Sequence, residues 1–260
     1  MFKRPLPQAP PPPPAPGPAG VGEHLWRLAV PTLWTVGGLA LLSYALFQKH
    51  LLPEAVGKRV AKLYFWPTMP FTLISRWSNY FTVMDDTVIL GGAPLAALGH
   101  PDMLHALGVH SVLNMCDEYS GPEGAYKRLG MRQLRLPVVD HTEPTTADIV
   151  RGVAFIRECA RRGERVLVHC KAGHGRSGAV AMGWLLSADA RATPAKAQAL
   201  MNSRRDVRKR LYRQQNVQEY YALLQRERDA APPLASQSAG SEGLIDGIGA
   251  KDGLRSRSVR

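Results

Sequence analysis

Residues 165–178 read RVLVHCKAGHGRSG, and this stretch decides the fold. The apolar residues up to His169 predict a buried strand, and the apolar run after Ser177 predicts a helix. Residues 170–175 therefore form a short, glycine-containing loop between a strand and the first turn of a helix. Backbone N–H groups in such a loop turn inward and bind anions. The stretch predicts a phosphate-binding loop.

Cys170 opens this loop and Arg176 closes it. The planar guanidinium of Arg176 can hold two phosphate oxygens at once. The helix dipole, the loop amides and Arg176 all favour the thiolate form of Cys170, because cysteines in such surroundings have lowered pKa values. A thiolate beside a phosphate cradle is a nucleophile aimed at phosphorus. Cys170 and Arg176 are therefore the first predicted catalytic residues.

The neighbouring residues complete the predicted site. Ser177 is expected to donate a hydrogen bond to the sulfur as it leaves in a second step. His169 is expected to support the loop rather than to act as a base. Lys171 and His174 are expected to add positive charge at the rim, and the two glycines to permit tight backbone angles. The predicted substrate-binding loop residues are Lys171, Ala172, Gly173, His174 and Gly175.

Hydrolysis of a phosphate ester expels an alkoxide, so a general acid is needed. Asp140 follows a predicted strand in a loop before Cys170 and is the candidate. From the residues alone, an ordinary surface carboxylate is an equally good interpretation. Cys116 and Cys159 lie within apolar stretches and are interpreted as buried structural cysteines.

Short strands alternate with helices over residues 78–228, which predicts an α/β domain with a mainly parallel sheet flanked by helices. Thr145 and Asp148 resemble a helix capping box, and Thr193 with Pro194 predicts the start of another helix. Val217, Tyr221 and Leu224 predict the apolar stripe of the last helix. The predicted strands are Thr87–Leu90, Ser111–Met115, Gln133–Val138 and Arg165–His169.

The N-terminal region predicts a membrane anchor. Residues 1–27 form a proline-rich arm that is expected to be disordered, and residues 28–50 contain the uncharged stretch Leu28–Phe47. Twenty such residues match a hydrocarbon core of about 30 Å, although a buried helix of a soluble domain is the alternative. Residues 51–77 mix aromatic and basic side chains, as expected either for a juxtamembrane linker lying on lipid or for a first helix packed on the domain. Residues 229–260 are predicted to be a disordered tail.

Charge and cysteine content narrow the class of partner. Over 260 residues, 33 basic and 21 acidic side chains give a net charge of +12. Three cysteines exclude a disulfide scaffold and a four-cysteine zinc site. A basic protein is expected to meet an anionic partner: nucleic acid, a membrane surface or a phosphorylated substrate. The basic cluster within residues 204–213 is interpreted as a solvated turn, as a docking patch for anionic headgroups or, least favoured, as a nucleic-acid contact.

The chain resembles the cysteine-dependent phosphatases of the dual-specificity branch. The resemblance rests on His169-Cys170 with Arg176-Ser177, on residues 85–94 and on Asn114–Tyr119. It is most specific for the mitochondrial phosphatidylglycerophosphate phosphatases, while the loop residues 170–176 also resemble a phosphoinositide phosphatase. By this resemblance Cys170 is the nucleophile and Asp140 the general acid. It further implies that an acidic-aromatic loop of Asp117, Glu118 and Tyr119 lies beside the substrate.

The resemblance implies a membrane-anchored enzyme that dephosphorylates a lipid, with phosphatidylglycerophosphate as the favoured substrate. A phosphoprotein or a phosphoinositide is the alternative substrate, and an inactive membrane-tethered binding module is the alternative outside enzymes. No cofactor, metal or nucleic acid is expected. The implied location is the mitochondrial inner membrane, with another organelle membrane as the alternative. The oligomeric state is not predicted.

Overall fold

The computed structural model describes residues 21–49 and 51–230. The chain divides into two units, one ending at Leu46 and the other beginning at Phe47. Most of the predicted proline-rich arm and nearly all of the predicted C-terminal tail lie outside the described residues.

The described part of the first unit is most of helix α1 (Val21–Gln48). This helix begins inside the segment predicted to be a disordered arm, because the prolines stop at Pro18 and the next one, Pro31, is tolerated within the helix. Within α1, residues Ala29–Gln48 have a mean hydropathy of 1.5 and are long and apolar enough to cross a membrane. Length and composition alone support that property.

The second unit is a mixed, mainly parallel five-stranded sheet flanked by helices, as the sequence predicted. The strand order is β1-β2-β5-β3-β4, and only β1 and β2 are antiparallel to each other. The strands are β1 (Phe81–Val83), β2 (Val88–Gly91), β3 (Val109–Cys116), β4 (Arg132–Val138) and β5 (Arg165–His169). The four predicted strands are present, and β1 was missed.

Helices cover both faces of the sheet. Their bounds are α2 (Glu54–Ser75), α3 (His100–Ala106), α4 (Glu123–Arg128), α5 (Thr146–Arg161), α6 (Arg176–Ala188), α7 (Pro194–Arg204) and α8 (Gln215–Ala230). The capping box at Thr145 and Asp148 is present with both reciprocal hydrogen bonds. Thr193 caps α7 as predicted. On α8 the predicted Val217 and Leu224 are buried and Tyr221 packs partly buried against the same core, while the buried Tyr220 was missed.

Two cores result from the alternation of side chains along the central strand β5. Val166 and Val168 face the larger core under α5, α6 and α8, whereas Leu167 faces the smaller core on the other side. Strand β5 thus lies in the middle of the sheet with both faces buried. Its carboxyl end, where Cys170 follows, is fixed by the whole domain.

The segment predicted as a juxtamembrane linker is largely helix α2, and one of its faces packs on the domain. Phe65 and Met69 are 1% and 2% exposed and form a small core with Ala93 and Leu95. Of the two interpretations of residues 51–77, this face has the contacts of a helix packed on the domain. The opposite face is exposed.

Candidate active site

The predicted phosphate-binding loop joins β5 to α6. Gly173 has a φ of 66°, the left-handed conformation that favours glycine, and a Cβ there would lie 2.5 Å from the carbonyl of Gly91. Gly175 has a φ of −108° and open space around it, so its backbone does not require glycine. Of the two glycines predicted to permit tight backbone angles, only Gly173 has a backbone conformation that favours glycine.

Cys170 lies at the base of the loop, 3% exposed. The Ser177 hydroxyl donates a hydrogen bond to its Sγ at 3.3 Å. Burial by itself raises the pKa of this thiol. The charge of Arg176, the Ser177 hydroxyl and the amides of Ser177 and His174 outweigh burial, so the pKa lies below its usual value. The site therefore favours a thiolate, as expected from the sequence.

Arg176 begins α6 and is 3% exposed. Its two terminal nitrogens donate to the two carboxylate oxygens of Glu118 at 2.8 and 2.7 Å. The same nitrogens also donate to the carbonyl of Val138 at 2.7 Å and to Oδ1 of Asp140 at 2.8 Å. Each terminal nitrogen thus contacts two oxygen acceptors of the protein. A phosphate held by two N–H groups of this guanidinium must therefore replace at least one of them.

Asp140 follows β4, and its carboxylate contacts Arg176 at the end of the phosphate-binding loop. Burial raises the pKa of its carboxyl, but the charges of Arg176, His141 and Lys171 and the amide of His141 bring it below its usual value. The next residue, His141, has a φ of 65°. The structure therefore brings Asp140 to Arg176 as an ionised side chain at the predicted general-acid position.

The predicted acidic-aromatic loop is beside the site, but its side chains point in different directions. Glu118 is 1% exposed and binds Arg176 rather than facing solvent. The Tyr119 hydroxyl donates to the carbonyl of Pro94 at 2.6 Å, and its ring stacks on Phe65 with centroids 4.9 Å apart. Asp117 Oδ2 lies 3.7 Å from the Lys62 ammonium. Glu118 holds the guanidinium in place, while the other two contact α2.

The loop side chains predicted to form a positive rim, Lys171 and His174, both contact other side chains of the protein. Lys171 donates a hydrogen bond to the Thr68 hydroxyl of α2, and its ammonium lies 5.7 Å from the centroid of the Phe65 ring. His174 Nδ1 lies 2.9 Å from a terminal nitrogen of Arg76. Burial lowers the pKa of His174, so the prediction that this side chain adds positive charge is wrong near neutral pH.

His169 is fully buried, and its Nδ1 lies 3.2 Å from the carbonyl of Cys170. Burial lowers the pKa of His169 to about 3, so the imidazole is neutral. A buried, neutral side chain bonded to the loop backbone agrees with the predicted supporting role.

Sequence reasoning missed Arg205. Its guanidinium is 1% exposed and donates to the loop carbonyls of Gly173 at 2.8 Å and Ala172 at 2.7 Å. Burial and the charge of Arg76 lower the pKa of Arg205 to about 10. The sequence placed Arg205 within a basic cluster interpreted as exposed; the buried Val207 two positions later was the available signal. The cluster is thus not a single solvated turn.

Among the described residues, no group of three or more His, Cys, Asp or Glu side chains could hold a metal ion. The chemistry of the site is that of a buried thiol, a guanidinium, a hydroxyl and two carboxylates. A sulfur nucleophile at the base of an anion-binding loop, closed by an arginine on the following helix, defines a cysteine-dependent phosphatase.

Comparison with known proteins identifies the family within that class. Residues 88–230 match the catalytic domain of the dual specificity phosphatases, and the chain belongs to this family. A human protein named phosphatidylglycerophosphatase and protein-tyrosine phosphatase 1 is 33% identical over 139 residues, which cover 49% of this chain and 69% of the relative. The phosphatidylglycerophosphate phosphatase PTPMT2 of Arabidopsis thaliana is 30% identical over 135 residues, covering 48% and 57%.

Solved structures agree with this family. The crystal structure of PTPMT1 has a TM-score of 0.51 and 28% identity, covering 58% of this chain and all of that one. The same protein in complex with PI(5)P has a TM-score of 0.50 and 28% identity, covering 58% of this chain and 99% of the other.

Proposed function

We propose that this phosphatase removes the phosphate from a phosphorylated lipid, with phosphatidylglycerophosphate as substrate and phosphatidylglycerol as product. The observation that most supports hydrolysis is that the buried Cys170 thiol accepts a hydrogen bond from the Ser177 hydroxyl at 3.3 Å, in the loop that Arg176 closes. The lipid substrate is supported by the names of the human and Arabidopsis relatives and by the lipid phosphate bound to PTPMT1. We assign the activity to a catalytic domain of residues 78–228. Residues 229 and 230 are added to it because they complete helix α8.

In the first step the thiolate of Cys170 attacks phosphorus in line with the leaving oxygen. An S–P bond forms and the P–O bond to the glycerol carbon chain breaks. The loop amides and Arg176 hold the remaining phosphate oxygens, where negative charge must be stabilised. Protonated Asp140 gives its proton to the departing oxygen, so the product leaves as an alcohol.

In the second step water attacks the phosphocysteine. The Asp140 carboxylate accepts a proton from this water as its oxygen bonds to phosphorus. The S–P bond breaks, and the Ser177 hydroxyl, already 3.3 Å from the sulfur, stabilises the departing thiolate. Inorganic phosphate is released and Cys170 is again a thiolate.

Asp140 must change partners during this cycle. In the free protein its carboxylate is bound to Arg176, which favours the ionised form. A phosphate that binds Arg176 displaces that carboxylate and brings negative charge next to it. Both changes raise the pKa of Asp140, so substrate binding itself favours the protonated acid.

Phosphate release tests the proposal. The full chain is compared with Cys170→Ser on phosphatidylglycerophosphate, on PI(5)P and on a phosphotyrosine peptide. Cys159→Ser is the matched control, because Cys159 is also a buried cysteine but lies on α5. We expect Cys170→Ser to abolish release and Cys159→Ser to retain it. Absence of release from all three substrates would contradict the enzyme assignment.

A protein or phosphoinositide phosphatase is the second candidate function. The human relative is also named a protein-tyrosine phosphatase, and PTPMT1 binds PI(5)P. In the same assay, a kcat/KM for the peptide well above that for both lipids would replace the lipid assignment. A preference for PI(5)P would retain a lipid substrate and change its headgroup.

We further propose that Ala29–Gln48 anchors the chain in a membrane, and that this membrane is the mitochondrial inner membrane. The support is the length and hydropathy of the helix together with the phosphatidylglycerophosphatase relatives. Alkaline carbonate extraction of membranes from cells expressing the chain tests the anchor, since only an integral protein stays in the pellet. Fractionation of organelles distinguishes mitochondria from other membranes.

A further inference from the structure

Helix α2 has a second apolar face that the catalytic domain does not cover. On one side of the helix Ala61, Phe65 and Met69 are buried four positions apart. On the opposite side Leu63 is 69% exposed and Ile74 is 75% exposed. A helix that packs on a single core has polar residues on its outer side, so the outer side of α2 requires another explanation.

The outer face forms a continuous stripe. Leu63, Trp66, Pro70 and Ile74 follow each other three or four positions apart, which places them in one row. Trp66 is 60% exposed, although the edge of its ring touches Phe65. Soluble proteins rarely expose contiguous apolar rows, and such rows mark sites that contact other proteins or membranes.

The charges around the stripe favour a membrane. Arg59 and Lys62 are exposed four positions before Leu63 and Trp66, and residues 55–75 contain no acidic residue. Basic residues beside an apolar, tryptophan-containing stripe are typical of helices that lie in the headgroup region of anionic lipid. A protein partner of ordinary composition would not require this combination.

The chain connection also favours a membrane. Residues 49–53 join the end of α1 to the beginning of α2. Five residues span at most about 18 Å. If α1 crosses a bilayer, α2 therefore begins at its surface.

We propose that α2 lies on the surface of an anionic membrane, with Leu63, Trp66 and Ile74 inserted at the boundary of the acyl chains. Arg59 then contacts the lipid headgroups, and so does Lys62, whose side chain is 59% exposed beside Asp117. This inference rests on the membrane anchoring by α1 proposed above, and it does not depend on which substrate is hydrolysed.

This helix connects the membrane to the phosphate-binding loop. The buried side of α2 supplies Phe65 and Thr68, which contact the side chain of Lys171. Docking of α2 thus fixes the side of the loop on which the lipid surface lies.

Depth measurements on the full chain test the docking. Single cysteines are introduced by Leu63→Cys or Ile74→Cys in the Cys170→Ser background, where the other two cysteines are buried. They are labelled with an environment-sensitive fluorophore and reconstituted into vesicles of phosphatidylcholine and phosphatidylglycerol. Trp34→Cys reports the anchor, and Leu223→Cys, an exposed leucine on α8, is the matched control. Quenching is measured with doxyl-labelled lipid and with aqueous iodide.

We expect doxyl lipid to quench the labels at positions 63 and 74, and iodide quenching there to fall severalfold relative to detergent. The label at position 223 should remain accessible to iodide. Labels on α2 that stay as accessible as position 223, while position 34 is quenched by doxyl lipid, would overturn the docking and leave the anchor intact. Protection from iodide without doxyl quenching would show that protein covers the stripe, which also overturns the proposal. Because Cys170→Ser removes activity, none of these results depends on the proposed reaction.

Discussion

Gly173→Ala is expected to damage both the stability and the activity of this phosphatase. The backbone of Gly173 has a φ of 66°, and a Cβ would lie 2.5 Å from the Gly91 carbonyl and 2.5 Å from Nη2 of Arg205. The arginine contact is the end of a flexible side chain, but the Gly91 contact is backbone in β2. Since β2 pairs with both β1 and β5, the loop must move instead of the strand.

Two costs add in this variant. An L-residue in the left-handed region costs about 1–2 kcal/mol, and forcing an extra carbon into a packed site costs about 1–3 kcal/mol. A domain of this size loses about 2–4 °C in Tm for each kcal/mol. We therefore expect the Tm of Gly173→Ala to fall by roughly 4–20 °C. A shift of the loop by about 1 Å is expected to lower kcat/KM by about 100-fold.

Gly163→Ala is the matched control, measured by thermal unfolding and by hydrolysis of p-nitrophenyl phosphate. Gly163 has a φ of 70° and nothing within 4 Å of an added Cβ, and it precedes β5 whereas Gly173 follows it. This control isolates the backbone cost, so its Tm should fall by roughly 2–8 °C, with kcat/KM unchanged. If Gly173→Ala and Gly163→Ala lose the same stability and both keep full activity, the reasoning about the Gly91 contact is refuted.

Three further variants probe the reacting groups. Ser177→Ala removes a hydrogen bond that lowers the pKa of Cys170, so the acidic limb of the kcat/KM profile should move to higher pH; an unmoved limb would contradict the thiolate assignment. Asp140→Asn should lower kcat on phosphatidylglycerophosphate by about 10²–10⁴-fold and abolish the fall in kcat at high pH. On p-nitrophenyl phosphate, whose leaving group needs no proton, it should have a much smaller effect, and an equal loss on both substrates would exclude the acid role. Glu118→Gln leaves Arg176 with one fewer charged partner and should lower the free energy of unfolding by about 1–3 kcal/mol, measured by urea denaturation; unchanged stability would show that the buried pair contributes nothing.

Local signals in the sequence predicted the parts of the fold that are built from contiguous residues. The strand–loop–helix stretch around Cys170 and the capping box at Thr145 need only short-range chemistry, and the structure contains both. Strand β1 was missed because it has three residues, too few for an alternation pattern. Helix α2 was predicted only as one of two alternatives for residues 51–77, and its Pro67 and Pro70 each cost about 3 kcal/mol inside a helix. The buried stripe of α2 outweighs that cost, and such tertiary packing is not visible in local sequence.

The same distinction separates the site residues that were foreseen from those that were not. Cys170 and Arg176 belong to one loop, so their spacing was sufficient to predict them. The support from Arg205 comes from a residue 29 positions after Arg176, in a run of basic residues that looks exposed. Nothing in a run of arginines shows which member turns inward. The apolar Val207, two positions after Arg205 and fully buried, is the one nearby residue that indicates an inward-facing segment.

The partners of Arg176 determine how phosphate binding and acid catalysis are connected in the proposed reaction. Of its two carboxylate partners, Glu118 is 1% exposed and Asp140 is 20% exposed. Glu118 binds both terminal nitrogens, whereas Asp140 binds one, so a phosphate displaces Asp140 at the lower cost. The displaced carboxylate loses the positive charge that held its pKa low and gains a phosphate neighbour. Asp140 is therefore a carboxylate when no phosphate is bound. Phosphate binding raises its pKa and so favours the protonated acid that the first step requires.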